Sequence, residues 1–274
     1  MSTTPKHILV VINEVDKITF LLQKAVKMSQ TYNALLEILF VHENTLFALP
    51  EYFSHDADSI NKEIIKQEIV DTLSSLEYTQ NYALFVEEED TVHRVQVLSE
   101  HHTDLFLLSS YYDSITHKMI HTVPFPVLIL KKDSTTYTKI LYIVDLNDDN
   151  KERIQYIQTL FPQSQIHLLF EHSYFVENYV FNTDFMGMTI DPGMDVSINK
   201  EIIDKQKETF STLKKETGLD GDFIEEMDEN LADYINQKNA DMVVLHLQDD
   251  AFFDEQTFSS HLLNTIDTNL FVMR

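Results

Sequence analysis

The chain has 274 residues, 43% of them hydrophobic and 18 of them Phe, which suits two ordinary domains with packed cores and argues against disorder. Its formal net charge of −25 repels phosphate backbones and anionic lipid heads, so neither nucleic-acid binding nor a membrane-surface role is expected. Zero Cys excludes disulfides, thiolate metal sites and cysteine nucleophiles and fits a cytoplasmic location; no apolar run reaches the roughly 18–20 residues of a membrane span, and the N-terminus enters a strand without a signal-peptide apolar region.

In chain order, short apolar runs alternate with amphipathic ones. Strands are expected at 7–12, 35–41, 82–87, 104–109 and 126–131, with helices at 16–31, 58–79, 90–102 and 112–121. On the long second helix, Ile60, Ile64, Ile65, Leu73 and Leu76 fall near one face. A polar stretch at 131–138 then reads as a linker. Beyond it, strands are expected at 139–144, 165–170, 222–227, 241–246 and 269–273, and helices at 150–161, 198–217, 228–238 and 254–266.

The two halves repeat one another. Ile-Asn-Lys-Glu-Ile-Ile occurs at 60–65 and again at 198–203, and three strand-like runs recur with it in the same order. His7-Ile-Leu-Val-Val-Ile12 matches the run from Lys139, Leu35–Val41 matches the run from Gln165, and Asp104–Leu108 matches Asp241–Leu245. This pattern indicates a duplicated domain, placed at 1–133 and 138–274. Alternating strands and helices imply right-handed crossovers and a parallel sheet covered on both faces, with ligands beyond the carboxyl ends of the strands. The expected fold class is therefore α/β: two tandem domains, each a five-stranded parallel sheet with helices on both sides.

The copies differ most between the second strand and the long helix. The second copy carries about 27 residues there, 171–197, beyond usual loop length. Tyr174, Phe175, Tyr179, Phe181, Phe185, Met186 and Met188 make 174–188 either a loop packed on the protein itself or a surface for a protein partner or small ligand.

Few residues suggest chemistry. His117 and His121 share a helix face but lack a third ligand, so they read as surface or capping groups and no metal is expected. His101 and His102 sit at a helix end, where imidazolium favours the dipole, and Glu87–Asp90 precede a helix start that carboxylates stabilise. Ser109 and Ser110 end a strand, but no Gly-x-Ser-x-Gly elbow or placeable base accompanies them.

The plan resembles the universal stress protein family in its tandem form, an adenine nucleotide alpha hydrolase-like, Rossmann-like fold. The resemblance rests on Ile8-Leu-Val-Val-Ile-Asn13, on the second-strand run ending Val41-His42, and on the stretch from Asp104 to Pro124-Phe-Pro-Val-Leu-Ile-Leu130. It covers nearly the whole chain. Many members bind ATP through Gly-x2-Gly-x9-Gly-[Ser/Thr] after the fourth strand, and both copies here lack it. After Leu108 comes Ser109-Ser-Tyr-Tyr-Asp-Ser-Ile-Thr-His117, and after Leu245 comes His246-Leu-Gln-Asp-Asp-Ala-Phe-Phe-Asp-Glu255. The first has no Gly on a shortened connection; the second sets four carboxylates where phosphate would lie.

The resemblance leaves Asn13, Val41, Ser109 and Asp145 as remnants of a nucleotide crevice. Asn13 stands where the family has an acidic residue, which Asp145 keeps in the second copy; Val41 holds the adenine-contacting position, aligned with Glu171. What the resemblance implies is a non-catalytic stress-response or regulatory protein, without ATP or another cofactor. It would pair its two domains internally, with Val127–Leu130 near Leu270–Met273, and could form a homodimer. The alternative is a module that still takes a nucleotide or other small molecule at the strand ends.

Overall fold

The computed structural model describes residues 4–43, 61–134, 136–146, 149–172, 195–225, 231–247 and 258–273. The aromatic stretch 174–188 and the acidic run 248–257 lie outside the described residues. The chain is α/β and divides into two compact units, one of residues 1–135 with 247–274 and one of 136–246.

The first unit contains β1 (His7–Ile12), α1 (Ile18–Tyr32), β2 (Leu35–Glu43), α2 (Lys62–Ser75), β3 (Tyr82–Glu89), α3 (Thr91–Ser99), β4 (Leu105–Ser110), α4 (Asp113–Thr122) and β5 (Val127–Leu130). Its strands run in the order β3-β2-β1-β4-β5, all parallel. Ile8 through Ile12 are each 0% exposed. Successive strand residues point to opposite faces, so a run buried without a break means that both faces are covered.

Helix α2 is shorter than the expected 58–79. Asn61 caps it by accepting from Glu63 N and Ile64 N, and Glu77 turns left-handed at φ 53° just past its end. Its buried stripe is Ile65, Ile69 and Leu73. These are four apart; Ile65 and Leu73 lie on the expected face, and Ile64, also expected there, is 62% exposed. A one-residue offset is about 100° around a helix, enough to carry a side chain from core to solvent.

The described part of the chain closes with α8 (Phe258–Thr265) and β10 (Asn269–Met273), and both belong to this same unit. β10 pairs antiparallel with β5, in the register Leu270–Ile129, Phe271–Leu128 and Val272–Val127. The two expected apolar runs thus form one ladder. Phe271 stacks on Phe106 at 5.4 Å. Asn269 Oδ1 accepts from Lys131 N and Lys132 N at 2.8 and 2.9 Å. Lys131 Nζ donates to Leu263 O and Ile266 O at the carboxyl end of α8 and lies 4.7 Å over the Tyr111 ring. Burial draws this ammonium down to about 8, against the pull of Asp267.

The second unit contains β6 (Lys139–Ile143), α5 (Asn150–Leu160), β7 (Gln165–Glu171), α6 (Asp195–Thr217), β8 (Asp220–Ile224), α7 (Leu231–Gln237) and β9 (Met242–His246). Its strands run β9-β6-β7-β8, all parallel. Thr138 and Lys139 donate three bonds to Asp241 Oδ2, at 2.7–2.9 Å, and so tie the start of β6 to the start of β9. Gly218, left-handed at φ 68°, ends α6. β8 begins two residues earlier than expected and contains Gly221. A Cβ there would come within 2.6 Å of Leu168 Cβ and carbonyl oxygen, so only glycine lets the strand approach β7 this closely. Phe170, Phe210 and Phe223 pack together beside it.

Candidate functional site

In a parallel α/β sheet the carboxyl ends of the strands are where a ligand binds. In the first unit those ends carry Asn13, Val41 and Ser109. The β1–β2 ladder closes at Ile12–Phe40. One step further, the Asn13 side chain supplies what the backbone no longer does: its Nδ2 donates to Val41 O at 3.2 Å and to Thr91 Oγ1 at 2.7 Å. Thr91 N donates to Glu43 Oε1 at 2.7 Å, and Asp90 caps α3 by accepting from His93 N at 2.8 Å. Glu87 and Glu89 turn instead to Arg94. Asn13, Val41, Glu43 and Thr91 therefore form one network across β1, β2 and the start of α3. Val41 and Thr91 are 0% exposed within it.

Ser109 lies in β4 opposite Val11 of β1. It is 2% exposed, and its hydroxyl donates to Ser110 O at 2.9 Å. β4 stops at Ser110 and α4 starts at Asp113, so Tyr111 and Tyr112 are the whole connection. Tyr112 N donates to Thr116 Oγ1 at 2.7 Å, and Tyr112 O accepts from Ile115 N and Thr116 N. The helix start is satisfied by its own chain. His117 Nε2 meets Asn264 Oδ1 at 3.1 Å.

Asp145 follows β6 of the second unit and is 8% exposed. Its carbonyl accepts from Asn150 Nδ2 at 2.5 Å, and Asn150 Oδ1 accepts from Tyr142 at 3.3 Å. Glu171 and His172, at the end of β7, are 5% and 6% exposed, and His172 Nδ1 meets Gln206 Oε1 at 2.6 Å. Beside Asn150, the first turn of α5 and one side of α6 border an open cavity of about 420 Å³. Asp149, Glu208, Glu216 and Lys151 are its charged lining residues. Three carboxylates against one ammonium, with Lys151 Nζ already 3.7 Å from Glu216, favour a cation or neutral ligand over a phosphate.

A further cluster, which no sequence motif marks, lies at the amino-terminal ends of the first unit's strands and is made by His7, Glu37 and His102. These residues lie far apart in sequence, and no spacing rule connects them.

No protein-family model matches the chain, and no curated protein matches it in sequence. Solved structures do match it along its length. A functionally unknown protein from Pseudomonas aeruginosa PAO1 superposes at a TM-score of 0.68 with 16% identity, covering 99% of this chain and 93% of the other. A protein from P. aeruginosa UCBPP-PA14, provisionally assigned to the universal stress proteins, gives 0.67 and 16%, with 99% and 94% covered. A universal stress protein from Archaeoglobus fulgidus DSM 4304 gives 0.56 and 13%, with 99% and 97% covered. The chain is built on the fold of these universal stress protein structures.

Proposed function

We propose that this chain is a non-catalytic regulatory protein of the universal stress type, acting in the cytoplasm through protein contacts or a small ligand and not through ATP. The observation that carries this reading is the two-residue link between β4 and α4. A phosphate cradle needs a run of backbone N–H groups left free by glycine, and this link has neither the length nor the glycine. Asn13 adds to the argument. The Val41 carbonyl, at the position the family uses for adenine, is already taken by the protein's own side chain. Among the described residues the Ser109 hydroxyl donates to Ser110 O and not to a base, which supports a protein that is not an enzyme.

The β5–β10 ladder supports a tandem chain kept for its internal pairing of strands. A second reading draws on the cavity beside Asn150: the second unit would hold a small cationic or hydroxyl-bearing molecule there. Melting the chain with Mg-ATP, with AMP and with a metabolite panel tests both readings. A ligand at 100 times its dissociation constant stabilises by roughly 2.7 kcal/mol. No ATP shift is expected, and a clear one would overturn the leading reading. A shift with a polyamine or polyol, abolished by Glu208→Gln, would favour the second.

A further inference from the structure

The geometry points to a binding site for a divalent transition-metal ion of the zinc type, formed by His7, Glu37 and His102. His7 opens β1, Glu37 lies near the start of β2, and His102 sits in the turn between α3 and β4. Backbone bonds fix all three: His7 N donates to Asp104 O at 3.2 Å, His102 N donates to Ser99 O at 3.0 Å, and Glu37 pairs with Leu9 in the β1–β2 ladder. One carboxylate oxygen, Glu37 Oε1, meets His7 Nδ1 at 2.8 Å and His102 Nε2 at 3.2 Å. The two rings stand 4.1 Å apart between centroids, tilted by 42°. One ligand atom from each residue lies within 4.8 Å of the others.

Those spacings suit a metal. Around a tetrahedral zinc with bonds of about 2.0–2.1 Å, ligand atoms stand roughly 3.3 Å apart. The two Glu37 contacts, at 2.8 and 3.2 Å, need to open by about 0.5 Å or less to admit the ion, and the two imidazole nitrogens lie within 4.8 Å of each other. The donor set selects the metal class: two imidazoles and one carboxylate suit zinc, cobalt, nickel or copper, whereas magnesium and calcium take oxygen ligands. Access is suited too. Glu37 is 5% exposed, while the His7 and His102 side chains are 29% and 17% exposed. The carboxylate thus forms the floor of the site, with both imidazoles on its more accessible side.

Glu37 also has a reason to favour a cation. Leu36, Ile38, Leu39, Phe40 and Val41 around it on β2 are all 0% exposed, and an ionised carboxyl in such a strand is costly unless compensated. The neighbouring Lys6 pairs with Asp104 at 3.0 Å. His102 thus engages Glu37 in addition to the dipole of α3, at a site where the sequence pattern gives no reason to expect a metal. The site is independent of the ATP question, because the cluster lies at the amino-terminal edge of the sheet.

The test is titration of the full, metal-stripped chain with Zn²⁺ by calorimetry and with Co²⁺ by visible absorption. One equivalent should bind more tightly than the background of surface carboxylates, with the intense d–d bands of a four-coordinate cobalt. His102→Ala and His7→Ala should each weaken that equivalent by at least about 100-fold, Glu37→Gln should do the same, and His117→Ala should leave it unchanged. If Glu37→Gln does not fold, the two partly exposed histidines still decide the matter. A wild-type chain that binds only with the weak stoichiometry of its acidic surface, or histidine variants that bind as the wild type does, would overturn the assignment.

Discussion

Exchanging Asn13 for Asp alters one contact and almost no volume. In the wild type, Nδ2 donates to Val41 O, the step beyond the last rung of the β1–β2 ladder, and to Thr91 Oγ1. A carboxylate cannot donate. The Thr91 hydroxyl can reverse and donate to it, so that bond survives, but the Val41 carbonyl then faces a like-charged oxygen at about the same 3.2 Å. Val41 is 0% exposed, so water does not replace the lost donor. A buried acceptor left unpaired costs about 1–3 kcal/mol, and the charge opposite places the cost in the upper half, about 2–3 kcal/mol. For a unit of this size that is roughly 5–10 °C in melting temperature. The pH dependence gives the signature. The introduced carboxyl has a raised folded-state pKa, so the deficit should be full at neutral pH and shrink as pH falls through that value, when a protonated oxygen can donate to Val41. Urea denaturation of Asn13→Asp and wild type by circular dichroism, at pH 7 and at pH 4, measures this. A deficit below about 0.5 kcal/mol at pH 7, or one that does not depend on pH, would refute the reasoning. The exchange should give no ATP-dependent shift, because the β4–α4 link remains two residues long.

Two further outcomes are expected. Phe271→Ala removes a ring that is 0% exposed and stacked on Phe106, and should cost about 3–5 kcal/mol in the transition of the first unit; a loss below about 1 kcal/mol in urea denaturation would mean that β10 does not complete that unit's core. At Asp222 burial raises the pKa, but bonds from Lys238, His167 and Tyr234 outweigh it and hold the carboxyl at about 2, below its usual 3.8. Its contribution is present above the unfolded value and lost as pH falls from about 4 towards 2. The side chain is 37% exposed, so screening keeps the effect under about 1 kcal/mol; Asp222→Asn should flatten the acid limb of the second unit's stability curve, and an unchanged acid limb would refute the assignment.

The elements were legible because their signals are local. All ten strands and eight helices of the described residues fall on the expected runs, since burial on two faces demands unbroken apolar stretches such as Ile8–Ile12. The β5–β10 ladder was legible from two apolar runs and a family resemblance. What escaped depends on long-range geometry. Asn13 reaches Val41 and Thr91 across 28 and 78 residues, and nothing in its sequence neighbourhood marks those bonds. His7 and Glu37 are 30 residues apart. A helix-end position accounts for His102 in sequence, and only the fold sets it beside Glu37. The start of β8 was misplaced because Gly221 weakens a strand signal, while the packing on Leu168 demands glycine there.

The antiparallel ladder between β5 and β10 separates the order of synthesis from the order of assembly. Lys131 and Asn269, bonded in the finished unit, are 138 residues apart. At about 5–20 residues per second, a ribosome needs roughly 7 to 28 s to travel between them. Throughout that interval Val127–Leu130 has one unpaired flank, and an apolar edge of that kind attracts strands from other chains. Newly made protein should therefore be most dependent on chaperones while its second half is being translated.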